Sequence, residues 1–206
     1  MTISPIGDYS TPGRIPQTAK GLRRRSLILK VASKLFADRG FDKVSIQDIG
    51  KAAGVTGPAI YRYFPSKESL LVSAFDHLYQ RASEGFGAIL AESVDEREAL
   101  EKLIDFEIQL VNEEPEKIRI ADSEVRHLPE SRAADLRAQN LRHLKVWSDV
   151  LRKVRPDLGR EEVDGTVHAL LAMLNSASRR RGGEPLSPGM RNHLRDMAHR
   201  MVLDQA

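Results

Sequence analysis

Residues 45–67 read SIQDIGKAAGVTGPAIYRYFPSK, and this stretch decides the fold. Ser45 and Asp48 form a capping-box-like pair ahead of Ile46, Ile49 and Ala53, the apolar face of a short helix. Gly54 ends that helix, since glycine accepts the left-handed backbone a helix terminus favours. Thr56 then predicts a second N-cap, with Pro58 in the first turn, where a missing N–H costs little. Ile60 and Phe64, four apart, supply the buried face of this second helix. Pro65-Ser66 closes it, and Ser66 caps a third helix with Lys67 in its first turn. Two short helices joined by Gly54-Val55-Thr56 make a helix-turn-helix, with the motif over about 46–65, whose second helix suits a major groove about 12 Å wide.

Working outward, residues 1–20 hold three prolines and two glycines without periodicity, which predicts a flexible tail over 1–21. From Arg23 the pattern turns helical: Leu27, Ile28, Val31, Ala32, Leu35 and Phe36 recur at helical spacing up to the stop at Gly40. Downstream everything reads as helix. Leu71, Ala74, Phe75, Leu78 and Ala82 carry one helix toward Leu90. Leu100, Leu103, Ile104, Ile108 and Val111 carry the next, ended by Glu114-Pro115. Ile118, Ala121 and Val125 mark a short one before Leu128-Pro129, and Leu136, Leu144, Trp147, Leu151 and Val154 a long one before Pro156. Val163, Val167, Leu170, Leu171 and Leu174 precede the stop at Arg179–Gly183, and Met190, Leu194, Met197 and Met201 form the last helix. The expected fold is all-α, with about nine helices. It divides into a helix-turn-helix domain over 22–68 and a second helical domain over 69–206.

Composition narrows the function. With 41% apolar residues the chain can bury a core, and with no cysteine it has no disulfide, thiolate metal site or cysteine nucleophile. No apolar run approaches the ~20 residues of a membrane helix. The N-terminus lacks the apolar run of a signal peptide, so a cytoplasmic protein without membrane contact is expected. The net charge of +3 hides an asymmetry: residues 1–70 hold 12 Lys/Arg against 5 Asp/Glu, and the remainder 20 against 24. A basic front on a mildly acidic body points to a polyanionic partner.

Catalytic signatures are missing: no G-x-S-x-G, no H-E-x-x-H, no phosphate loop, and six histidines without metal-ligand spacing. No catalytic residue, metal or cofactor is expected. Around the helix-turn-helix, however, stand the groups a phosphate backbone requires. Ser45 offers a hydroxyl at a helix N-terminus, where free N–H groups favour anions. Tyr61 and Tyr63 diverge from a polar-flanked helix toward either side of a groove, and Lys67 points back to the same surface. Arg23, Arg24 and Arg25 precede the first helix and suit a phosphate strand or a minor groove; a solvated helix start explains them equally well.

The run Phe41, Ile46, Ile49, Ala52-Ala53-Gly54-Val55-Thr56, then Ile60-Tyr61-Arg62-Tyr63-Phe64, Lys67-Glu68 and Leu70 resembles the DNA-binding domain of the tetracycline-repressor (TetR) family over about residues 24–80. The resemblance implies a homodimeric transcription factor, in most members a repressor, with a helical ligand domain after the helix-turn-helix. It implies a recognition helix at about Gly57–Tyr63, phosphate contacts by Tyr61, Tyr63 and Lys67, and Thr56, Gly57 and Ala59 near base edges or phosphates. Family members often carry glycine where Pro58 stands and histidine where Tyr63 stands. Few long base readers remain, and Arg62 is the strong one.

In the second half, Trp147, Arg155-Pro156-Asp157-Leu158 and the Gly182-Gly183 turn resemble a subset of the family tied to lipid and acyl-CoA catabolism. Phe86, Phe106, Glu107 and Trp147 are the expected ligand-binding residues. Glu107 falls on the apolar face of Leu100, Leu103, Ile104 and Val111, where a carboxylate is costly unless Arg, Lys or a ligand pairs with it. Arg119, Arg126 and Arg142 are the cations an acyl-CoA phosphate would need. Val167, Leu171, Leu174, Leu194, Met197 and Met201 are expected at a homodimer interface built as a four-helix bundle. The partners implied are a double-stranded, palindromic DNA operator and a small hydrophobic effector, with an acyl-CoA or lipid-derived compound in view. Two other readings stay open: a DNA-binding dimer without a small-molecule effector, and a helical lipid-binding or enzymatic protein.

Overall fold

The computed structural model describes residues 18–179 and 184–203. Within them lie nine α-helices and no strand: α1 (Ala19–Arg39), α2 (Ile46–Ala53), α3 (Gly57–Tyr61), α4 (Lys67–Glu92), α5 (Glu96–Glu113), α6 (Pro115–Ser123), α7 (Glu130–Val154), α8 (Arg160–Ser176) and α9 (Pro188–Val202). Single 3₁₀ turns occupy Val125–His127 and Ala177–Arg179. Most of the expected tail and the Gly182-Gly183 turn fall outside the described residues.

The tail expected up to residue 21 is shorter, because α1 begins at Ala19. Thr18, extended at φ −102°, accepts a side-chain bond from Gly21 N at 3.1 Å and caps the helix. Two hydrophobic cores follow. The first joins Ile28, Phe36, Phe41, Ile49, Ile60 and Phe64. The second joins Leu100, Leu103, Ile104, Trp147, Leu151 and Leu170. Helix α4 serves both, with Leu70, Leu71, Ala74 and Phe75 in the first and Leu78, Ala82 and Phe86 in the second. The boundary expected at 68/69 therefore falls in the first turn of a continuous helix. Ile120 of α6 and Ala133 and Leu136 of α7 also pack into the first core, so the two halves share apolar surface.

The expected dimer stripe is largely interior. Val167 and Leu174 are 0% exposed, and Leu171 and Leu194 are each 7% exposed, packed within the second core. Their helices pack against α5 and α7 inside the subunit, which takes up the large apolar residues. Helix α8 turns outward a row of small residues, Gly165, Ala169, Ala172 and Ser176 at helical spacing, beside exposed Glu161, Glu162 and His168. On α9, Met190 and Met201 are exposed and Met197 is half-buried.

Candidate nucleic-acid interface and ligand cavity

Local chemistry builds the helix-turn-helix. Asp48 N donates to Ser45 Oγ at 3.1 Å, while Ser45 N and Oγ donate to Asp48 Oδ2 at 2.9 and 2.6 Å. These bonds from Ser45 hold the Asp48 carboxyl below its ordinary range. At the turn, Val55 N donates to Gly50 O at 2.9 Å. The approach is so close that a Cβ on Gly50 would lie 2.7 Å from Val55 O. Gly54 takes the left-handed backbone, φ 64°.

Thr56 precedes α3 with an extended backbone, but its side chain makes no capping bond. The helix stops at Tyr61, two residues short of the expected Tyr63. Tyr63 N and Phe64 N both turn back to Ile60 O, at 2.8 and 2.9 Å, and Pro65 follows. Ile60 and Phe64 anchor this element in the core, while Tyr61 (54% exposed), Arg62 and Thr56 face outward. Gly57, Ala59 and Tyr63 are half-buried beside them.

Not every expected contact group is free. Lys67 Nζ donates to Phe41 O at 3.0 Å and lies 4.1 Å from the Phe41 ring centroid, so it fastens the α1–α2 loop to α4. The Ser45 hydroxyl is engaged inside its cap. Arg25 lies over Phe64 at 4.7 Å and donates to Ser73 Oγ at 3.4 Å. By contrast Arg23, Arg24 and Arg62 have no ion pair among the described residues.

Polar links between the halves carried no sequence signal, because their partners lie far apart in the chain. Arg119 of α6 donates to Asp38 of α1 at 2.7 Å, 81 positions away. Buried Glu124 accepts from Phe41 N at 3.4 Å, and His127 stacks on the Phe41 ring with centroids 5.1 Å apart. Arg132 of α7 reaches both carboxylate oxygens of Asp76 on α4 at 3.1 Å.

Two cavities open beside α4. The outer, about 530 Å³, runs between α4 and α7 and is lined by Tyr79, Ala82, Phe86, Leu90, Arg142 and Val146 among others. The inner, about 250 Å³, lies among α4, α5, α6, α7 and α8 and is lined by Glu107, Asn140 and Asn175 among others. Tyr79, Ala82 and His143 line both. Glu107 is 2% exposed, and among the described residues no Arg or Lys is paired with it; His143 Nε2 stands 3.6 Å from its Oε2. Phe86 forms an edge-to-face cluster with Phe106 (5.8 Å), His143 (4.7 Å) and Trp147 (6.3 Å). Phe106 lies across Gly85, where a Cβ would come within 2.2 Å of its ring.

Residues 28–74 match the family model for bacterial regulatory proteins of the tetR family. The chain is 30% identical over 160 residues to the HTH-type transcriptional repressor KstR2 of Rhodococcus jostii, covering 75% of this chain and 76% of that protein. The chain belongs to the TetR family. It is also 29% identical over 142 residues to the HTH-type transcriptional regulator EthR of Mycolicibacterium smegmatis, covering 68% of this chain and 60% of that relative's length. Its fold matches the crystal structure of AibR in complex with isovaleryl coenzyme A and operator DNA, with a TM-score of 0.72 at 19% identity. That match covers 87% of this chain and 98% of AibR. The two curated relatives are named as transcriptional regulators, and membership places the chain among regulatory proteins rather than enzymes.

Within this TetR-family chain, Thr56, Tyr61 and Arg62 are exposed at α3, while Gly57, Ala59 and Tyr63 are half-buried and Tyr63 packs against the first core. Of the expected ligand residues, Phe86 lines the outer cavity and Glu107 the inner, while Phe106 and Trp147 line neither and stand behind Phe86. His143 and Asn175 join the cavity without having stood out in the sequence. Of the three arginines considered for an acyl-CoA, Arg142 alone lines a cavity; Arg119 is held by Asp38, and Arg126 donates to His127. No helix among the described residues is long and apolar enough to cross a membrane.

Proposed function

We propose that the chain is a ligand-responsive repressor that binds a near-palindromic operator as a homodimer and leaves it when a largely hydrophobic small molecule enters the cavities beside α4. The observation that carries this reading is α4 itself. Its first turn is bonded to the α1–α2 loop through Lys67, its N-terminal half packs in the helix-turn-helix core, and its C-terminal half walls both cavities. A ligand wedged between α4 and α7 favours whichever α4 position leaves it room, and so biases the spacing of two recognition elements in a dimer.

Tyr61, Tyr63 and Arg24 are the proposed phosphate contacts and Arg62 the proposed base reader, with Thr56, Gly57 and Ala59 letting the backbone approach. Dimerisation uses the outward row of small residues on α8 together with Met190, Met197 and Met201 of α9, where close helix approach suits a four-helix bundle. An acyl-CoA or lipid-derived effector finds Arg142 at the outer mouth as a partner for phosphate, and AibR offers a precedent in the fold. The test is fluorescence anisotropy on DNA from upstream of the gene, with and without effector. Tyr61→Phe weakens binding to all sequences by about 1 kcal/mol. Arg62→Ala removes about 1–3 kcal/mol of preference for the operator over random DNA. Unchanged operator preference in Arg62→Ala would assign base reading elsewhere.

A further inference from the structure

The inner cavity gathers polar groups that the packing leaves without partners. Glu107 projects into it from α5, and its Oε2 is buried and without a hydrogen bond. Asn175 of α8 lines the same space, with Oδ1 likewise buried and unpartnered. His143 of α7 brings Nε2 to 3.6 Å from Glu107 Oε2, beyond hydrogen-bond reach. Burial pushes the Glu107 carboxyl up to about 7 and the His143 imidazole down to about 4. At neutral pH the imidazole is therefore uncharged and able to accept, and the carboxyl gives up its proton at small cost. Three acceptors on three helices thus face a space of about 250 Å³.

The chemistry of an occupant follows from what is missing. A carboxylate or phosphate would meet the oxygens of Glu107 and Asn175 and a neutral imidazole, and the cation that also lines this space, exposed Arg137, is already paired with Glu130. A thioester or ketone oxygen would take the one proton of neutral Glu107 and give nothing to Asn175. A hydroxyl supplies a single donor. An ammonium supplies three donors and the positive charge that favours ionised Glu107. Beyond Tyr79 and Ala82 the outer cavity continues along Phe86, Leu90 and Val146, an apolar path for the rest of the molecule.

We propose that the chain binds a hydrophobic primary amine, its ammonium held by Glu107, His143 and Asn175 in the inner cavity and its apolar body in the cleft between α4 and α7. The proposal rests on the reading of these cavities as the effector site and names the effector's chemical class. Other ionisable groups facing Glu107 are few. Helix α4 contributes Tyr79, with Asp76 farther out and paired to Arg132. Helix α6 contributes only Ile118 and Ala121. Helix α7 adds Arg137, which pairs with Glu130, and Arg142 at the outer mouth.

Trp147, the single tryptophan, packs against Phe86 and reports on the cleft. The full chain is titrated with octylamine, octan-1-ol, octanoate and octanoyl-CoA, following Trp147 fluorescence and heat, and operator release is measured in parallel. At pH 8 octylamine binds at least about tenfold more tightly than the other three. Its ammonium stays protonated up to about pH 10, so below about pH 7 its affinity falls by up to about tenfold per unit as Glu107 takes a proton. Glu107→Gln weakens octylamine at least about tenfold and abolishes that slope, while octan-1-ol changes by less than about twofold. Should Glu107→Gln fold poorly, Asn175→Leu is used, and weakens octylamine selectively by about threefold or more. Equal binding of octan-1-ol, octanoate or octanoyl-CoA, or a flat pH profile for octylamine, overturns the proposal. If one of those three releases operator while octylamine does not bind, the effector-site reading stands and the amine assignment falls. If octylamine binds with the expected slope and leaves operator binding untouched, the amine assignment stands and the effector-site reading falls.

Discussion

The helix-turn-helix and the inner cavity handle polar groups in opposite ways. Between residues 45 and 66 no buried side-chain polar atom lacks a partner, and the partners lie close in sequence: Ser45 with Asp48, Val55 with Gly50, Ser66 with Ser69. Around the cavity, Glu107 Oε2, Trp147 Nε1 and Asn175 Oδ1 are all buried and unpartnered. Local pairing makes a rigid element whose outward groups are presented in one geometry, as a groove-reading surface requires. Unpaired buried polar atoms lower stability: the two oxygens wait for a donor and the Trp147 N–H for an acceptor. The contrast belongs to the helix-turn-helix itself and not to the whole N-terminal half, since Arg25 Nε and Ser33 Oγ of α1 are also buried without partners.

The harshest way to break this contrast is at Gly50. A side chain there would meet the backbone oxygen of Val55 at 2.7 Å, and backbone cannot swing aside as a side chain can. Gly50→Val is expected to destabilise the α2–α3 unit by several kcal/mol, on the scale of severe overpacking or more. Operator binding should vanish, while helicity from α5 to α9 persists. Circular dichroism and anisotropy measured together check this. A variant that still binds operator normally would mean that the turn yields readily and that the helix-turn-helix is not rigid.

How much of this is legible in the sequence follows from distance along the chain. The Ser45 and Ser66 caps, the Gly54 stop and the buried pair Ile60 and Phe64 are readable, since each is settled by residues within a turn or two. The end of α3 differs from the expected one because Tyr61, Arg62 and Tyr63 carry no breaker of their own; Pro65 acts earlier than its position suggests. The start of α1 is hidden because Thr18 caps the helix from within a stretch rich in Pro and Gly. The stripe of Val167 and Leu174 is readable as an apolar face, but periodicity does not say what covers it, and the subunit's own second core does. Glu107 stands out as a charge on an apolar stripe. His143 does not, because a histidine on a helix 36 positions away has no pattern to break, and the Arg119–Asp38 bond across 81 positions is a tertiary fact.

The contrast is sharpened by pH. The Glu107 carboxyl is pushed up to about 7 by burial, from an ordinary value near 4.5. Below that ordinary value both folded and unfolded chains hold the proton and burial has no ionisation cost. As pH rises toward about 7 only the unfolded chain loses it, so stability falls, and the loss is complete above the folded value. Glu107→Gln has no such proton. Its stability relative to the parent should therefore grow from near zero at pH 4 to roughly 3 kcal/mol at pH 8. His143, pushed down to about 4, works in the opposite direction between about 4 and 6.5 but is present in both chains. Urea denaturation across that range is the measurement. A constant difference would show that the carboxyl is better solvated or paired than its surroundings indicate.

The smallest expected effect separates an engaged cation from a free one. The resemblance to the family implies that Lys67 meets a phosphate, yet its ammonium donates to Phe41 O at 3.0 Å and lies over the Phe41 ring. Arg24, on the same basic front, has no ion pair among the described residues. Each phosphate neutralised by a side chain steepens the dependence of log affinity on log salt by about one. Lys67→Ala should therefore cost about 1 kcal/mol of folding stability, through one hydrogen bond and one cation–π contact, and leave the salt slope unchanged. Arg24→Ala should do the reverse, lowering the slope by about one with little change in stability. Anisotropy titrations at several salt concentrations, paired with thermal melts, read both quantities. A slope that drops in Lys67→Ala would mean that the lysine leaves Phe41 when DNA arrives, and that the α1–α2 loop, fastened to the segment after α6 through Glu124 and His127, is released at the same moment.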